Sequence, residues 1–556
     1  MRQRALLASL AVPLALLASS TAARADDVPL DFPRLVLDTG RVEVPAPEAD
    51  VIRLQVHGEE QIRYEHLRSF PLDVSATRMQ QFPGAVSDSL GQNDFVHHWF
   101  RITPTFQLGD KIRLVAQADL TGVLLGDLAH DASADQTPRD SYDGYSNVQP
   151  RWLYLEWLTP VGLARVGQQP SHWGMGLVAN DGDHPSLFGD YRYGNIVEQV
   201  LFATKPLGEK SPFVVALAGN IVYRDNVAIF TNGDRALQAI LAAFYEKGQD
   251  MLGVYGVFRS QTRDQNSEPQ YFPYEDAIHV GVIDLAGHFA RPIAVPNETA
   301  YVFGGFEAAT ELGSTNEERT VYNGWTRIQA YGGSANIGVA FAGREGSAGA
   351  GAGAEKMKRP DLWGKVVAQV EVGYASGDAN PDDNVEKRFV FDPNHKVGLV
   401  LFDEVMRWQT ARAATAAQDP NLSNGNRPPP GTDLLPTNGG IYGAQYIYPT
   451  GVYRPRPWLD LKAGAVIAQT TSDFVDPYRL AAYGAYTNYS GGDPRRHDLG
   501  VELDGGFEAR VPLGPILRLQ LGAQAGVLFP GGALADASGN AMKAPWIAVG
   551  RVGLQY

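Results

Sequence analysis

Apolar and polar side chains alternate with a period of two along much of this chain. The run 52–65 carries apolar residues at most even positions and charged or polar residues at the odd positions. The runs 96–108 and 112–121 repeat the pattern on either side of a Gly109-Asp110 turn. Because successive side chains of a strand point to opposite faces, each run predicts a strand of about ten residues with one apolar and one polar face. An apolar outer face and a polar inner face are typical of a transmembrane β-barrel.

The pattern predicts an all-β chain that folds into a closed antiparallel transmembrane barrel, porin-like, of about 18 strands. The last segment ends on the aromatic residue Tyr556, which resembles the C-terminal signal of bacterial outer-membrane barrels. The predicted strands start near residues 51, 96, 111, 150, 162, 194, 211, 235, 250, 277, 297, 324, 363, 437, 456, 495, 514 and 543.

The connections between these segments alternate in length. Every second connection is long, with 124–149 and 377–436 as examples, and the ones between are short turns. The exception is 344–362, a Gly/Ala-rich stretch that suits a flexible turn. Outer-membrane barrels have short periplasmic turns and long extracellular loops, whereas a soluble β-sandwich or propeller predicts no such asymmetry. A soluble, exported all-β protein is the remaining alternative for the fold.

Composition narrows the function classes. The chain has 556 residues, no Cys, 44% hydrophobic residues and a mean hydropathy of −0.20. It therefore has neither disulfides nor thiolate metal sites, and it does not read as a helical membrane protein. The net charge of −15 argues against nucleic acid as a partner, since nucleic-acid binders usually present a basic surface.

The N-terminus reads as a secretory signal. Arg2 and Arg4 precede an apolar stretch from Ala5 to Ala18, and Ala23-Arg24-Ala25 forms a small-x-small cleavage site. We therefore predict a signal peptide over 1–25, a periplasmic segment over 26–49 and the barrel over 50–556. Export of a barrel places the protein in the outer membrane of a Gram-negative bacterium, after cleavage near Ala25.

Charged residues on the polar faces predict the character of the lumen. The basic ones lie on the last two and the first three strands, which become neighbours when a barrel closes, so we expect one basic wall. The alternative is that these charges are paired and merely make the interior polar. The predicted basic track comprises Arg53, Arg63, Arg101, Lys111, Arg113, Arg518 and Arg551, and the predicted lumen acids are Glu371, Glu502, Asp504 and Glu508. A basic track would favour an anionic solute.

Several short motifs resemble one family. Ala375-Ser376-Gly377-Asp378 runs into Asn380-Pro381-Asp382-Asp383, which is similar to the strand-to-loop element of alginate-export-type outer-membrane porins. The runs 106–110 and 166–174 resemble other pieces of the same barrels. The chain also resembles an uncharacterised barrel family of predatory and soil deltaproteobacteria. The resemblance implies an eighteen-stranded channel for a polar or anionic solute such as an acidic oligo- or polysaccharide.

The acidic loop that follows this motif is a candidate cation site. Asp378, Asn380, Asp382 and Asp383 offer oxygen ligands of the kind that Ca²⁺ prefers, although the spacing is not that of an EF-hand, and a solvated acidic loop is the alternative. No other cofactor is expected. The chain has no Walker loop, HExxH or GxSxG motif, so we expect no enzyme activity.

The expected partners are outer-membrane lipid and lipopolysaccharide, the barrel-assembly machinery and a polar or anionic solute. The loop 377–436 carries apolar residues at helical spacing between 399 and 409, so it could cap the barrel mouth, fold into the lumen or contact a partner. The favoured function is a channel. The alternatives are a structural or adhesive barrel with a plugged lumen and an outer-membrane barrel enzyme.

Overall fold

The computed structural model describes residues 52–69, 94–109, 111–125, 147–189, 193–208, 210–248, 250–263, 276–295, 298–316, 325–342, 366–418, 435–456, 458–514 and 516–556. The predicted signal peptide 1–25, the segment 26–49 and the Gly/Ala-rich stretch 344–362 lie outside these residues, so the expectations about them stay predictions.

Long strands account for most of the described chain. Eighteen of them are β1 (Ile52–Arg68), β2 (Asp94–Leu108), β3 (Ile112–Leu125), β4 (Asn147–Thr159), β5 (Gly162–Pro170), β6 (Ile196–Thr204), β7 (Phe213–Arg224), β8 (Arg235–Lys247), β9 (Asp250–Arg263), β10 (Asp276–Val295), β11 (Glu298–Thr315), β12 (Thr326–Ala342), β13 (Val366–Ala375), β15 (Ala444–Arg456), β16 (Leu459–Thr470), β17 (Asp498–Pro512), β18 (Arg518–Pro530) and β19 (Trp546–Gln555). A two-residue strand, β14 (Val385–Glu386), pairs in parallel with the end of β12.

Helices are few within the described residues. A π-helical segment, Leu401–Met406, runs into α1 (Arg407–Gln418), and α2 (Pro477–Tyr483) lies between β16 and β17. Short 3₁₀ turns occur at Phe230–Asn232 and Gly532–Leu534. None of the described helices is both long and apolar enough to cross a membrane.

The sheet closes on itself, which confirms the predicted barrel. Each long strand pairs antiparallel with its neighbours in chain order, and β1 pairs with both β2 and β19. At the seam, Gly58 and Tyr556 exchange two backbone N–H···O bonds of 2.9 Å each. A Cβ on Gly58 would collide with the ring of Tyr556, so glycine is required where the last residue packs across the first strand.

The period-two alternation predicted from the sequence is confirmed in β1. Ile52 and Leu54 are 62% and 64% exposed on the outer face, whereas Gln61 and Arg63 are buried on the inner face. Large apolar side chains are exposed on the outward positions of nearly every strand. Such an apolar exterior fits a hydrocarbon environment. The largest offset between a predicted and an observed start is at β15, which begins at Ala444 rather than near 437.

One part of the inner wall departs from the expected polar lining. Strands β6 to β12 point mostly apolar side chains inward, among them Val214, Phe244, Val257 and Val280, all of them buried. These residues pack against loops that fold into the barrel, so this side of the interior resembles the core of a soluble protein. The expectation of a polar inner face holds for the strands around the seam and is wrong for this side.

Candidate functional site

Barrel closure brings the predicted basic residues onto one wall. Strands β18, β19, β1, β2 and β3 are consecutive neighbours, and Arg63 on β1 lies directly opposite Arg551 on β19. The six arginines that share the inward parity of these strands are called the basic wall: Arg53, Arg63, Arg101, Arg113, Arg518 and Arg551. Lys111 is not part of it. It lies, exposed, in the turn before β3, which begins one residue later than predicted.

Arg101 is held by carboxylates from two directions. Its guanidinium donates to Asp119 on β3 at 2.7 and 2.8 Å and also pairs with Asp183, which lies in the connection between β5 and β6. Arg151 on β4 reaches the same Asp183 at 3.2 Å. Arg101 therefore fastens a connecting segment to the wall rather than standing as an isolated positive charge.

Arg113 is also paired. Its Nε donates to Glu156 on β4 at 2.9 Å, and Arg165 on β5 donates to the other oxygen of that carboxylate at 2.6 Å. Arg63 pairs with Glu65 on its own strand at 2.7 Å. The inward positions of these five strands carry the six arginines of the basic wall and three carboxylates, Glu59, Glu65 and Asp119. Asp183 from a connection and Glu156 from β4 compensate more of the positive charge.

The predicted lumen acids all lie buried on inward positions. Glu508 accepts from Lys462 on β16 at 3.3 Å, and Glu371 accepts from the hydroxyl of Tyr446 at 2.6 Å. Glu502 and Asp504 face the connection between β13 and β15. Strand parity predicted that these side chains face inward, but it did not predict which groups they contact.

The described parts of two long connections, 171–195 and 376–443, fold into the barrel and pack together. They are called the plug. The backbone N–H of Asp392 donates to the carbonyl of Leu177 at 2.7 Å, and Asn195 Nδ2 donates to the Asp392 carboxylate at 2.8 Å. Burial raises the pKa of Asp392 to about 7. The helical face predicted between 399 and 409 is buried within the barrel. Of the three alternatives for this loop, it therefore folds into the lumen rather than capping the barrel mouth or contacting a partner.

A carboxylate of the wall holds the larger plug loop at the start of its helical segment. Glu502 on β17 accepts three successive backbone N–H groups, from Leu399, from Val400 at 2.8 Å and from Leu401 at 2.6 Å. These N–H groups have no partner inside the helix that follows, so a negative charge is favoured there.

A second carboxylate holds the smaller plug loop in the same way. Glu307 on β11 accepts the N–H of Met175 and, at 3.0 Å, that of Leu177. On the neighbouring β10, Asp284 accepts from the indole Nε1 of Trp173 at 3.2 Å. The side chains of Asp284 and Glu307 are both fully buried. The two carboxylate clasps, one by Glu502 and one by Glu307, therefore fix the plug to different sides of the barrel.

Each clasp depends on a glycine. Gly398 and Gly174 have φ of +72° and +56° and directly precede the donor segments. A Cβ on Gly398 would lie 2.5 Å from Oε1 of Glu502, and one on Gly174 would collide with Oε2 of Glu307. Glycine thus provides both the left-handed backbone and the close approach of the carboxylate.

His395 connects the clasped loops to a third position on the wall. Its Nε2 lies 3.0 Å from the Glu371 carboxylate and its Nδ1 lies 3.1 Å from the carbonyl of Met175. Burial alone would lower the pKa of His395, but the Glu371 carboxylate raises it above its ordinary value. The imidazole therefore links both plug loops to β13.

The acidic loop proposed for Ca²⁺ is organised by its own backbone. Asp378 accepts the N–H of Asn380 at 2.8 Å and that of Lys387 at 3.0 Å, and Asp383 accepts the N–H of Val385 at 2.7 Å. Burial raises the pKa of Asp378 to about 6. These carboxylates form turn-closing hydrogen bonds, as aspartates often do in loops. Calcium binding by Asp378, Asn380, Asp382 and Asp383 stays a prediction.

Calcium should raise the melting temperature of the purified protein if these four residues bind it, because a ligand that binds only the folded state stabilises that state. Thermal unfolding in excess calcium and in excess chelator is the measurement. An Asp382→Asn/Asp383→Asn variant should lose the difference. Equal melting of the wild-type protein under both conditions would contradict calcium binding.

A separate group of potential metal ligands lies in the smaller plug loop. The ligand atoms of His172, Asp181 and His184 lie within 4.8 Å of one another, and it is the one such group of His, Asp and Glu side chains among the residues the structure describes. His184 Nδ1 is 2.7 Å from Asp181, and the two imidazoles stack at 4.3 Å. Burial would raise the pKa of Asp181, but His184 and His172 lower it. The hydrogen bond between His184 and Asp181 explains why these side chains lie together, as a structural contact within the loop.

Fold and site together define a closed eighteen-stranded barrel with an apolar exterior, a charged wall and a clasped plug, counted over the described residues. No protein-family model matches the chain, and no curated protein matches its sequence. Its family, including the resemblance to alginate-export-type porins, therefore stays a prediction.

Solved structures similar to this chain include outer-membrane proteins of two bacteria. Acinetobacter baumannii OccAB2 is 10% identical, with 90% of this chain and 98% of that one covered and a TM-score of 0.46. Pseudomonas aeruginosa OpdK with vanillate is 10% identical, with 90% of this chain and 99% of that one covered and a TM-score of 0.44. Pseudomonas aeruginosa OccK5 (OpdH) is 8% identical, with 90% of this chain and 98% of that one covered and a TM-score of 0.43. Likeness of this degree carries no argument about solute, and the barrel assignment rests on the strand pairing of the chain itself.

Proposed function

We propose that this protein is an outer-membrane channel of a Gram-negative bacterium that passes a small polar solute. The observation that carries the proposal is a charged inner wall inside a closed barrel whose outer face is apolar. Barrels of about 16–18 strands are wide enough for an aqueous path. An apolar band fits lipid, and Tyr556, exposed at the end of the seam strand, is our candidate for the signal read by the barrel-assembly machinery.

The plug supports a selective channel rather than a general pore. Two loops held by Glu502, Glu307 and Glu371 occupy part of the interior, so a path through the barrel would be narrower than in an open barrel. A narrow path forces a solute into contact with the wall, where charge and shape discriminate among solutes.

The finer proposal is an anionic solute such as an acidic oligo- or polysaccharide. The basic wall and the motifs that resemble alginate-export-type porins support it. The pairing of Arg101 with Asp119 and of Arg113 with Glu156 reduces the charge available to a solute, so we expect a modest anion preference.

A plugged structural or adhesive barrel is the second candidate, and the plug itself favours it. If the clasped loops leave no continuous path, the exposed connections would carry the function instead. No cofactor and no catalytic role enter either proposal.

Single-channel recording in planar bilayers tests the two candidates. We expect discrete conductance steps and, in a salt gradient, a reversal potential on the anion-selective side, because the excess guanidinium groups of the basic wall lower the barrier for anions. Cation selectivity would contradict the anionic solute but leave the channel standing. Folded protein that inserts without conducting would contradict the channel and favour the plugged barrel.

A further inference from the structure

A cavity of about 220 Å³ lies between the plug and the inner wall of strands β6 to β12. It is near the end of the barrel that carries the long connections, since it reaches Asp225 and Val227 between β7 and β8. Cavities for drug-sized ligands span about 300–1,000 Å³, so this one suits a small molecule.

The floor of the cavity is apolar. Seven inward apolar side chains of the strands line it, namely Val197, Val222, Val257, Ile278, Val280, Val282 and Ile328, and the plug adds Val390 and Phe391. Gln238 and Tyr255 are the uncharged polar side chains that the described strands add to the lining. Such a surface favours an apolar ligand body, because contact removes both from water. A fully hydrated ion or sugar would gain nothing from these side chains.

The charged groups around the floor differ in whether they already have hydrogen-bond or ion-pair partners on the protein. Arg259 is paired with Asp225 at 2.5 Å and hydrogen-bonded to Gln261 at 3.0 Å. Arg388 donates to the carbonyl of Leu435 at 3.3 Å and lies 5.5 Å from the centre of the Tyr442 ring. Both guanidinium groups therefore already have partners on the protein.

Three of the four carboxylates that line the cavity are also committed. Asp225 faces Arg259, Asp392 accepts from Asn394 and Asn195, and Glu386 accepts the N–H of Arg388 at 2.6 Å. The fourth, Glu311 on β11, is half-buried and forms no hydrogen bond within the part of the chain that the structure describes. Glu311 also lies near the Arg259 guanidinium, but among the described lining carboxylates it is the one whose oxygens accept no hydrogen bond from the protein, so it is the acceptor that the cavity offers to a ligand.

We propose that this cavity binds a small amphipathic cation, whose ammonium group pairs with Glu311 and whose apolar body lies against the valine and isoleucine floor. The inference rests on the proposed channel and names one class of molecule that the channel recognises at its long-loop end. It differs from the anionic solute expected from the basic wall, because that wall lies on the seam strands and the cavity lies on β6 to β12. A molecule with an ammonium group at one end and a carboxylate at the other can use both.

Two probes of matched size separate charge from shape. Phenethylamine and 3-phenylpropionate share an aromatic body and differ in the sign of the terminal group. Binding to the full-length protein in lipid nanodiscs is measured by calorimetry, and interruption of single-channel current is measured in planar bilayers. We expect the amine to bind and to interrupt the current at concentrations where the acid does neither.

Substitutions assign the charge to one residue. Glu311→Gln should weaken amine binding on the order of tenfold or more, because it removes the negative partner of a largely desolvated ammonium group. Glu311→Asp keeps the charge and should retain part of the affinity. Glu59→Gln, an equal change of charge on β1 at the seam, should leave amine binding unaltered.

Equal binding of acid and amine, or unchanged amine affinity in Glu311→Gln, would overturn the proposal. Calorimetry keeps this outcome separate from the fate of the proposed channel. A protein that binds the amine but never conducts retains the cavity and loses the channel, whereas one that conducts but shows no preference for the amine retains the channel and loses the cavity.

Discussion

Glu502→Ala should increase the single-channel conductance severalfold and make the current noisier. The substitution removes the acceptor of three backbone N–H groups at residues 399–401. Hydrogen bonds to a charged group contribute about 1.5–3 kcal/mol each, so the helical segment that follows loses its main attachment to β17. A detached loop samples positions outside the lumen and widens the path. Single-channel recording of the purified variant is the measurement.

Two comparisons make this result specific. Glu198→Ala removes a carboxylate from the exposed outer face of β6 and should leave the conductance unchanged. Glu307→Ala breaks the other clasp, at Met175 and Leu177, and should also raise the conductance. A folded Glu502→Ala barrel with the conductance of the wild type would show that the larger plug loop is held by its packing and not by the clasp.

The strands could be predicted because their information is local. A period of two, an apolar outer face and a turn such as the one at Gly109 are visible in any window of ten or so residues. The pairing of the last strand with the first then followed from the predicted barrel, because the terminal strands of a closed barrel are neighbours. For this reason the observed starts lie within about four residues of the predicted ones, from β1 at Ile52 to β19 at Trp546, except at β15.

The plug could not be predicted in the same way, because its attachments join residues that are far apart in the sequence. Glu502 holds Leu399, and Glu307 holds Leu177, across more than a hundred residues in each case. A partial signal was present: Asp284 and Glu307 are acidic residues on inward positions of a mostly apolar wall. A buried carboxylate needs a partner, so such a residue indicates that something packs against it.

The lumen charges show the limit of parity. Strand alternation placed Arg101 and Arg113 on the inner face, and the structure has them there, but parity says nothing about their partners. Asp119 lies on the strand next to Arg101, whereas Asp183 arrives from the plug. Whether the basic wall acts on a solute is therefore a question of residual charge, which no count along the sequence can give.

Replacing Arg101 and Arg113 with Ala should shift the selectivity of the open channel toward cations. Each substitution removes one positive charge from the wall and leaves a carboxylate with less compensation, so the local charge becomes more negative. These groups are partly shielded from water and are less screened by salt than charges on exposed loops. The measurement is the reversal potential of the double variant in a salt gradient.

The barrel should survive the double substitution, because the stranded carboxylates keep a second cation. Arg151 lies 3.2 Å from Asp183, and Arg165 remains on Glu156 at 2.6 Å. Removing one partner of a buried ion pair costs about 3–5 kcal/mol when the other is left alone, and these second contacts reduce that cost. Arg235→Ala, on the exposed face of β8, removes a charge without touching the lumen and is the matched control. A reversal potential equal to that of the wild type in a folded double variant would mean that the paired arginines organise the plug and do not act on the solute.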